Sequence, residues 1–210
     1  MASPPEPQKP TRREEQKAQT RRLVLECAYG LFEEKGYEKA TMRELAARAG
    51  VGLGTIFKHF PDKSALLAAA FEDDLGRAVE ASFASLPDAD LATRFLHLVR
   101  DLYEFYARRP SLSRVMITRA AAMEGRSAET IWAQLQEFQV AVGELVQAGI
   151  ERGELCSDVD RDDVAVAFFS FYYAGLVASF MGPGFPVEDR VEGVGRMIEQ
   201  HLRGIGAPKA

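Results

Sequence analysis

Cysteine is almost absent from this chain of 210 residues: only Cys27 and Cys156 occur, and they do not form a Cys-x-x-Cys pair. This pattern favours neither a disulfide framework nor a thiolate metal site, so we interpret both side chains as reduced thiols. Long apolar runs are also missing, because none approaches the ~18 residues that predict a membrane span. The N-terminal segment lacks the apolar stretch of a signal peptide. We therefore expect a cytoplasmic protein.

Histidine is scarce as well, and the groupings of catalytic and metal-binding side chains are missing. His59, His97 and His201 fall in different predicted helices, and there is no Ser-His-Asp order, paired-carboxylate motif or His-x-x-x-His spacing. The run DVDRDD at residue 158 begins like a calcium loop, but its sixth position is Asp163 instead of glycine and its twelfth is Phe169 instead of glutamate. We expect no enzymatic activity, no metal and no cofactor.

The alternating apolar pattern of strands is nearly absent, whereas helical periodicity runs through the chain. An all-α fold of about nine helices is therefore expected. Thr41 and Glu44 form a capping-box pattern that predicts a helix start, and Gly36 and Gly50 are stop signals. The predicted helices are about 19–35, a short one between Thr41 and Gly50, 53–59, a long one that starts at Pro61–Asp62, and about 89–108, 111–122, 127–153, 160–181 and 187–204.

Charge is unevenly distributed along the chain. The formal net charge is −5, yet residues 1–60 carry eleven Lys/Arg against eight Asp/Glu, a local balance of +3. A basic front end on an acidic body is compatible with nucleic-acid binding confined to one end. Residues 1–18 lack apolar content and are predicted as a disordered basic tail. Such an arm could add DNA contacts or serve only solubility, since Glu14 and Glu15 offset much of its charge.

The stretch AGVGLGTIFKHF, residues 49–60, could be a phosphate loop or the turn of a helix-turn-helix. A phosphate loop follows a strand in the pattern G-x-G-x-x-G, or carries G-x-x-x-x-G-K-[ST]. Here a capped amphipathic helix precedes the glycines and neither pattern is present. A turn at Gly50 between two short helices fits better, with Val51, Ile56 and Phe60 directed inward.

The longer segment TMRELAARAGVGLGTIFKHFPDKSALL, with LVLECAYGLFEEKGYEKA before it, resembles the DNA-binding motif of the tetracycline-repressor (TetR) family of bacterial transcription regulators. The resemblance covers about residues 20–75. It implies a DNA-binding domain over 19–78 and a ligand-binding and dimerisation domain over 79–210. It also implies that the helix from Leu53 to His59 enters the major groove of a pseudo-palindromic operator.

Residue matching to this family assigns individual DNA contacts. Arg43 occupies a position that reaches bases in some members, and the family's common tyrosine is replaced by Phe57, which has no hydroxyl for a phosphate. Leu53 and Gly54 offer no polar side chain, which favours apolar contacts to thymine and readout of DNA shape. The positions matched to phosphate contacts are Thr41, Thr55, Lys58, His59 and Lys63. Alternatives remain open: capping alone for Thr41, packing for His59, and solvation for Arg43 and Lys63.

For the acidic body, the resemblance implies a ligand cavity between helices and a homodimer formed by the last two helices. Gly175, Ala178 and Ser179 would allow those helices to approach closely. Because no charged cluster converges there, we expect a lipophilic or aromatic effector that releases a repressor. The candidate ligand-binding residues are Tyr103, Tyr106, Met116, Trp132, Phe138, Phe168 and Tyr172, although aromatic residues at helical spacing also form ordinary cores. The rival hypothesis is a helical sequestering protein with a vestigial DNA head.

Overall fold

The computed structural model describes residues 11–120, 125–181 and 186–206. Within these residues the chain is all α, as expected, and the only pairing of extended backbone is an isolated bridge between Leu155 and Gly206. The helices are α1 Arg12–Lys35, α2 Met42–Arg48, α3 Leu53–His59, α4 Lys63–Ala84, α5 Leu91–Arg108, α6 Pro110–Ala120, α7 Gly125–Glu151, α8 Arg161–Met181 and α9 Val187–Gly204.

The chain divides into two compact units, Met1–Ala70 and Phe71–Ala210. The division falls inside α4, as does the boundary that the sequence predicts after residue 78. Because α4 is one continuous helix, its first turns belong to the first unit and its later turns to the second.

The predicted tail over residues 1–18 is wrong for residues 12–18, which form the beginning of α1. Thr11 and Glu14 make a reciprocal capping box, in which the Thr11 side chain accepts from the Glu14 amide and Glu14 accepts from the Thr11 amide. Arg, Glu, Gln, Lys and Ala are also good helix formers, so this segment needs no apolar core to be helical. Residues 1–10 of the predicted tail lie outside the described residues.

The core of the first unit is formed where α1, α2 and α3 pack together. Ile56 and Phe60 point inward, as predicted, while Val51 is only partly buried. Two ion pairs support the packing, from Lys35 to Glu44 and from Arg48 to Glu34. The fully or nearly fully buried side chains here include Val24, Ala28, Leu31, Phe32, Leu45, Ala46, Leu66 and Leu67.

The second unit is built around α8, which packs against α5, α6, α7 and α9. The expectation that no apolar run approaches the length of a membrane span is wrong for α8, which is long and apolar enough to cross a membrane. Core helices of water-soluble proteins pass the same test. Gly175 lets α8 approach its neighbours, because a Cβ at this position would collide with the Tyr103 hydroxyl of α5 and the Val194 side chain of α9. In the loop between α7 and α8, the Cys156 amide donates to the Ile205 carbonyl at 3.0 Å, so this loop is hydrogen-bonded to the end of α9.

Candidate nucleic-acid interface and aromatic core

The turn between α2 and α3 depends on a single glycine. Gly50 has φ +64°, in the left-handed region that side-chain-bearing residues rarely adopt. The Val51 amide then donates to the Ala46 carbonyl at 3.0 Å, which closes the turn. Gly52 caps α3 without a side chain, and the Thr55 amide donates to its carbonyl. The glycines therefore serve a helix-turn-helix, as the sequence predicts.

The outer face of α3 combines apolar and basic groups. Ile56 is fully buried, whereas Phe57 keeps 47% of its surface exposed and Lys58 is exposed beside it. Leu53 and Thr55 are half-buried. The face therefore presents an accessible phenyl ring next to an accessible ammonium group.

Gly54 adds an open surface to the same face. A Cβ built there would meet no atom within 4 Å. The folded protein therefore does not require glycine at this position, and the absent side chain leaves room for a partner to approach the backbone.

Thr41 and Arg43, at the start of α2, differ in the hydrogen bonds and ion pairs that their side chains make within the described residues. The Thr41 hydroxyl accepts from the Glu44 amide at 3.2 Å and donates to the Glu44 carboxylate at 3.0 Å, so it performs the predicted capping. Arg43 is exposed, and no carboxylate within the described ranges lies at ion-pair distance from it. Its guanidinium can therefore bind an external acceptor.

Lys63 has a structural role that the sequence assignment missed. Its ammonium group donates to the carbonyls of Tyr37 at 2.7 Å, Glu38 at 3.1 Å and Ala40 at 3.1 Å, which uses all three of its protons. These bonds fasten the α1–α2 connection to the start of α4 and count against the phosphate contact expected of Lys63. A cation in the first turn of a helix is unfavourable for the helix dipole, and that is the signal which could have revealed another partner.

Basic residues of α1 border the C-terminal end of α3. The Arg21 guanidinium lies 5.5 Å from the centroid of the Phe60 ring, directly after α3. Burial lowers the pKa of His59, and the positive charges of Lys17, Arg21 and Lys58 lower it further. His59 is half-buried, so its packing is real, yet part of its ring remains accessible.

Six of the seven predicted ligand-binding residues are buried, and four of them share one aromatic cluster. Tyr172 lies 5.6 Å from Tyr103, 6.2 Å from Phe138 and 6.4 Å from Phe168, measured between ring centroids. Tyr106 is buried and interacts with Tyr172. Met116 is buried on α6, which packs against α8.

Trp132 was expected in this interior and is the exception, because 63% of its surface is exposed. Phe138 takes the inward position on α7 instead. Six residues at about 100° each place the two side chains roughly 120° apart around the helix, so both cannot face the core. Trp132 shares the outer side of α7 with the exposed Val140.

The buried phenols of this cluster are neutral hydrogen-bonding groups. The Tyr103 hydroxyl donates to the Tyr172 carbonyl at 2.7 Å. Burial raises the pKa of Tyr106 to about 12 and also raises the pKa values of Tyr103 and Tyr172. The cluster therefore consists of closely packed apolar rings with a few uncharged polar atoms among them.

One group of side chains resembles a catalytic triad in composition only. The Ser85 hydroxyl and the Asp101 carboxylate lie 3.0 Å and 3.1 Å from His97, but both approach the same ring nitrogen, Nε2. In a triad one ring nitrogen of the histidine contacts the carboxylate and the other contacts the serine nucleophile, so the arrangement at His97 is not that of a triad. Within the described ranges there is also no group of three potential metal ligands.

In comparisons with known proteins, each unit is matched in part by its own family model. Residues 24–70 match the family model of bacterial regulatory proteins, tetR family, and residues 88–173 match a tetracyclin repressor-like C-terminal domain. An HTH-type transcriptional regulator of Staphylococcus aureus strain USA300 is 39% identical over 57 residues, which cover 27% of this chain and 31% of that protein. The match therefore spans less than a third of the curated relative's length.

Two solved structures show the same fold over most of the chain. The regulator FadR from Bacillus subtilis, in complex with stearoyl-CoA, has a TM-score of 0.69 at 18% identity and covers 88% of this chain and 98% of its own. AibR, in complex with isovaleryl coenzyme A and operator DNA, has a TM-score of 0.60 at 20% identity, over 85% and 97% of the two chains.

Proposed function

Because the chain belongs to the TetR family of bacterial transcription regulators, we propose that it is a cytoplasmic, homodimeric repressor released from its operator by a small lipophilic or aromatic effector. The observation that carries this proposal is the outer face of α3, where exposed Phe57 and Lys58 follow a turn fixed by Gly50.

The proposed DNA contacts follow the chemistry of each exposed side chain. Phe57 and Leu53 contact thymine methyl groups, and the bare backbone at Gly54 allows a close approach. Arg43 pairs with guanine, the base edge that arginine recognises most often. Thr55, Lys58 and His59 contact phosphates. Thr41 is left out of this set because its hydroxyl and its amide both donate to the Glu44 carboxylate. Lys63 is left out of this set because its protons are committed to carbonyls.

The proposed effector site is the aromatic cluster of the second unit, without Trp132. Its neutral phenols and apolar rings suit an uncharged or apolar moiety. FadR and AibR, which have the same fold, were solved with acyl thioesters of coenzyme A, and this makes acyl-CoA compounds the first class to screen. Release requires that the effector bind one arrangement of the regulator better than the DNA-bound one.

The proposed dimer interface lies on the outward side of α8 and α9. Val166, Met181 and Met197 are apolar and exposed on these two helices. Gly175 and Ser179, expected at the interface from sequence, instead face the interior of the chain: Gly175 adjoins Tyr103, and Ser179 is fully buried. A two-fold dimer would present two copies of α3 about one DNA turn, ~34 Å, apart.

The proposal is tested by selecting duplexes from a random-sequence pool with the full-length protein. Enrichment of an inverted repeat is expected, and titration with isovaleryl-CoA, stearoyl-CoA and free aromatic acids should identify a compound that releases it. If no sequence is enriched while the protein still binds such compounds, the sequestering-protein hypothesis would replace the regulator.

A further inference from the structure

Three cations form a line along the first turns of α1. Arg13, Lys17 and Arg21 recur every four residues, which places them on one face of the helix. We name them the basic stripe. The same face continues into Val24 and Ala28, which are fully buried. The stripe therefore extends the side of α1 that packs onto the helix-turn-helix.

The inner end of the stripe lies next to the C-terminal end of α3. Arg21 lies over the Phe60 ring, 5.5 Å from its centroid, and Phe60 directly follows α3. From there to Arg13 the helix rises about 12 Å, at 1.5 Å per residue. Along one DNA strand this length spans about three phosphates at 3.4 Å of axial rise each.

The stripe forms no salt bridge with an acidic side chain of the described residues. Among the residues that the structure describes, no carboxylate lies within ion-pair distance of Arg13, Lys17 or Arg21. Glu14 accepts hydrogen bonds from the amide and hydroxyl of Thr11, which lower the pKa of its carboxyl, and the charge of Lys17 lowers this pKa further. The positive field of Lys17 and Arg21 also reaches His59, where it contributes to the lowered pKa.

The first two turns of α1 have no packing role that would explain them. Residues 12–19 are all exposed, so the helix projects beyond the core and is started by its own capping box. A rigid helix holds its charges at fixed spacing, so fewer degrees of freedom are lost on binding than for a flexible arm.

We propose that the basic stripe is a second, preorganised DNA contact, which binds the phosphate backbone beside the site read by α3 and lengthens the footprint of each protomer. The inference rests on the proposed function, because it takes double-stranded DNA as the partner of the first unit. In this proposal the stripe contributes to the affinity for DNA and to its salt dependence, while α3 and Arg43 determine which bases are preferred.

The test compares two double variants of the full-length chain. Arg13→Gln with Lys17→Gln removes two cations from the stripe. Arg12→Gln with Arg22→Gln removes two cations from the opposite side of α1, at positions that are equally exposed. Glutamine is a good helix former, and circular dichroism checks that α1 is retained in both.

The measured quantity is the slope of log affinity against log salt, on a duplex selected by the wild-type protein and on a random-sequence duplex. The stripe variant should lose about 0.9 from the slope for each phosphate contact removed, with base preference unchanged. The opposite-face variant should keep the wild-type slope.

Equal slope losses in both variants, or no loss in either, would overturn the stripe as a specific contact. A failure of the proposed function looks different: the wild-type protein would then select no sequence. The comparison on the random-sequence duplex still decides the stripe in that case, because phosphate contacts also dominate non-specific binding.

Discussion

The side chain of Phe57 allows the proposed recognition of DNA by α3 to be tested at a single residue. Its ring is 47% exposed, although the neighbouring Ile56 is fully buried. Phe57→Ala should change folding stability little and weaken specific DNA binding by roughly 1–3 kcal/mol, the size of one good base contact. Leu23→Ala is the matched control, because Leu23 is a similarly exposed apolar residue, at 44%, on α1. Equal losses of DNA affinity in both variants would contradict the role of Phe57.

A substitution at Gly54 should affect DNA binding without harming folding stability. Because a Cβ there meets nothing within 4 Å, Gly54→Ala should leave the fold intact. Its free energy of unfolding should stay the same or rise by about 0.5–1 kcal/mol, since alanine favours the helix. Specific DNA affinity should fall, because a methyl group would fill the space for backbone approach. Denaturant unfolding and DNA titration on the same preparation check both parts, and unchanged affinity would remove Gly54 from the interface.

The lowered pKa of His59 leads us to expect that DNA binding depends on pH. Its pKa is lowered below the usual value by burial and by Lys17, Arg21 and Lys58, so the ring is neutral at pH 7 in the free protein. A phosphate beside it would raise the pKa again, and binding would then take up a proton. Affinity should therefore increase as the pH falls through the pKa of the bound state, and it should level off only below the lowered pKa of the free protein. His59→Gln should flatten this dependence, whereas an unchanged profile in that variant would indicate that His59 only packs.

At the scale of elements, the start of α4 is joined to the α1–α2 connection by one side chain. Lys63→Met keeps the length of the side chain but removes three hydrogen bonds to the carbonyls of Tyr37, Glu38 and Ala40. The free energy of unfolding should fall by about 1–3 kcal/mol. Lys39→Met, on the same connection and exposed, should have little effect. If Lys63→Met kept full stability and lowered the salt slope of DNA binding instead, Lys63 would be a phosphate contact.

Helix positions follow from local sequence signals, which explains where prediction succeeded. The capping box at Thr41, the turn glycine at Gly50 and the periodicity of α3 are short-range patterns, and the bounds of α3 were predicted correctly. The prediction of a tail is wrong for residues 12–18 because it rests on low apolar content alone, whereas Thr11 and Glu14 form a capping box that starts α1. Strong helix formers with a good cap can be helical without burial.

Local sequence signals do not determine which side of a helix faces its neighbours in the fold. Whether Trp132 or Phe138 faces inward depends on how α7 is rotated against α8, and periodicity alone permits both. The partners of Lys63 come from residues 23 to 26 positions away, so no local pattern displays them. The basic side chains of α1 were recognised, but their placement beside α3 needed the packing of Arg21 on Phe60.

At the scale of the whole molecule, the proposed regulator requires two protomers. Val166→Glu puts a charge on the exposed side of α8, where half of the valine surface is accessible in one chain. The variant should dissociate the homodimer and weaken operator binding, because a monomer presents only one copy of α3. Val140→Glu makes the same change on the exposed side of α7, 61% accessible, and should remain dimeric. Analytical ultracentrifugation measures both, and dissociation of the α7 variant alone would place the interface elsewhere.

The central claim, that the outer face of α3 reads DNA sequence, is tested most directly by fluorescence anisotropy with a selected duplex and its scrambled counterpart at two salt concentrations. The account predicts that the wild-type protein prefers the selected duplex, that binding weakens at higher salt, and that Phe57→Ala loses much of the preference while remaining folded. Equal affinity of the wild-type protein for both duplexes would contradict the claim.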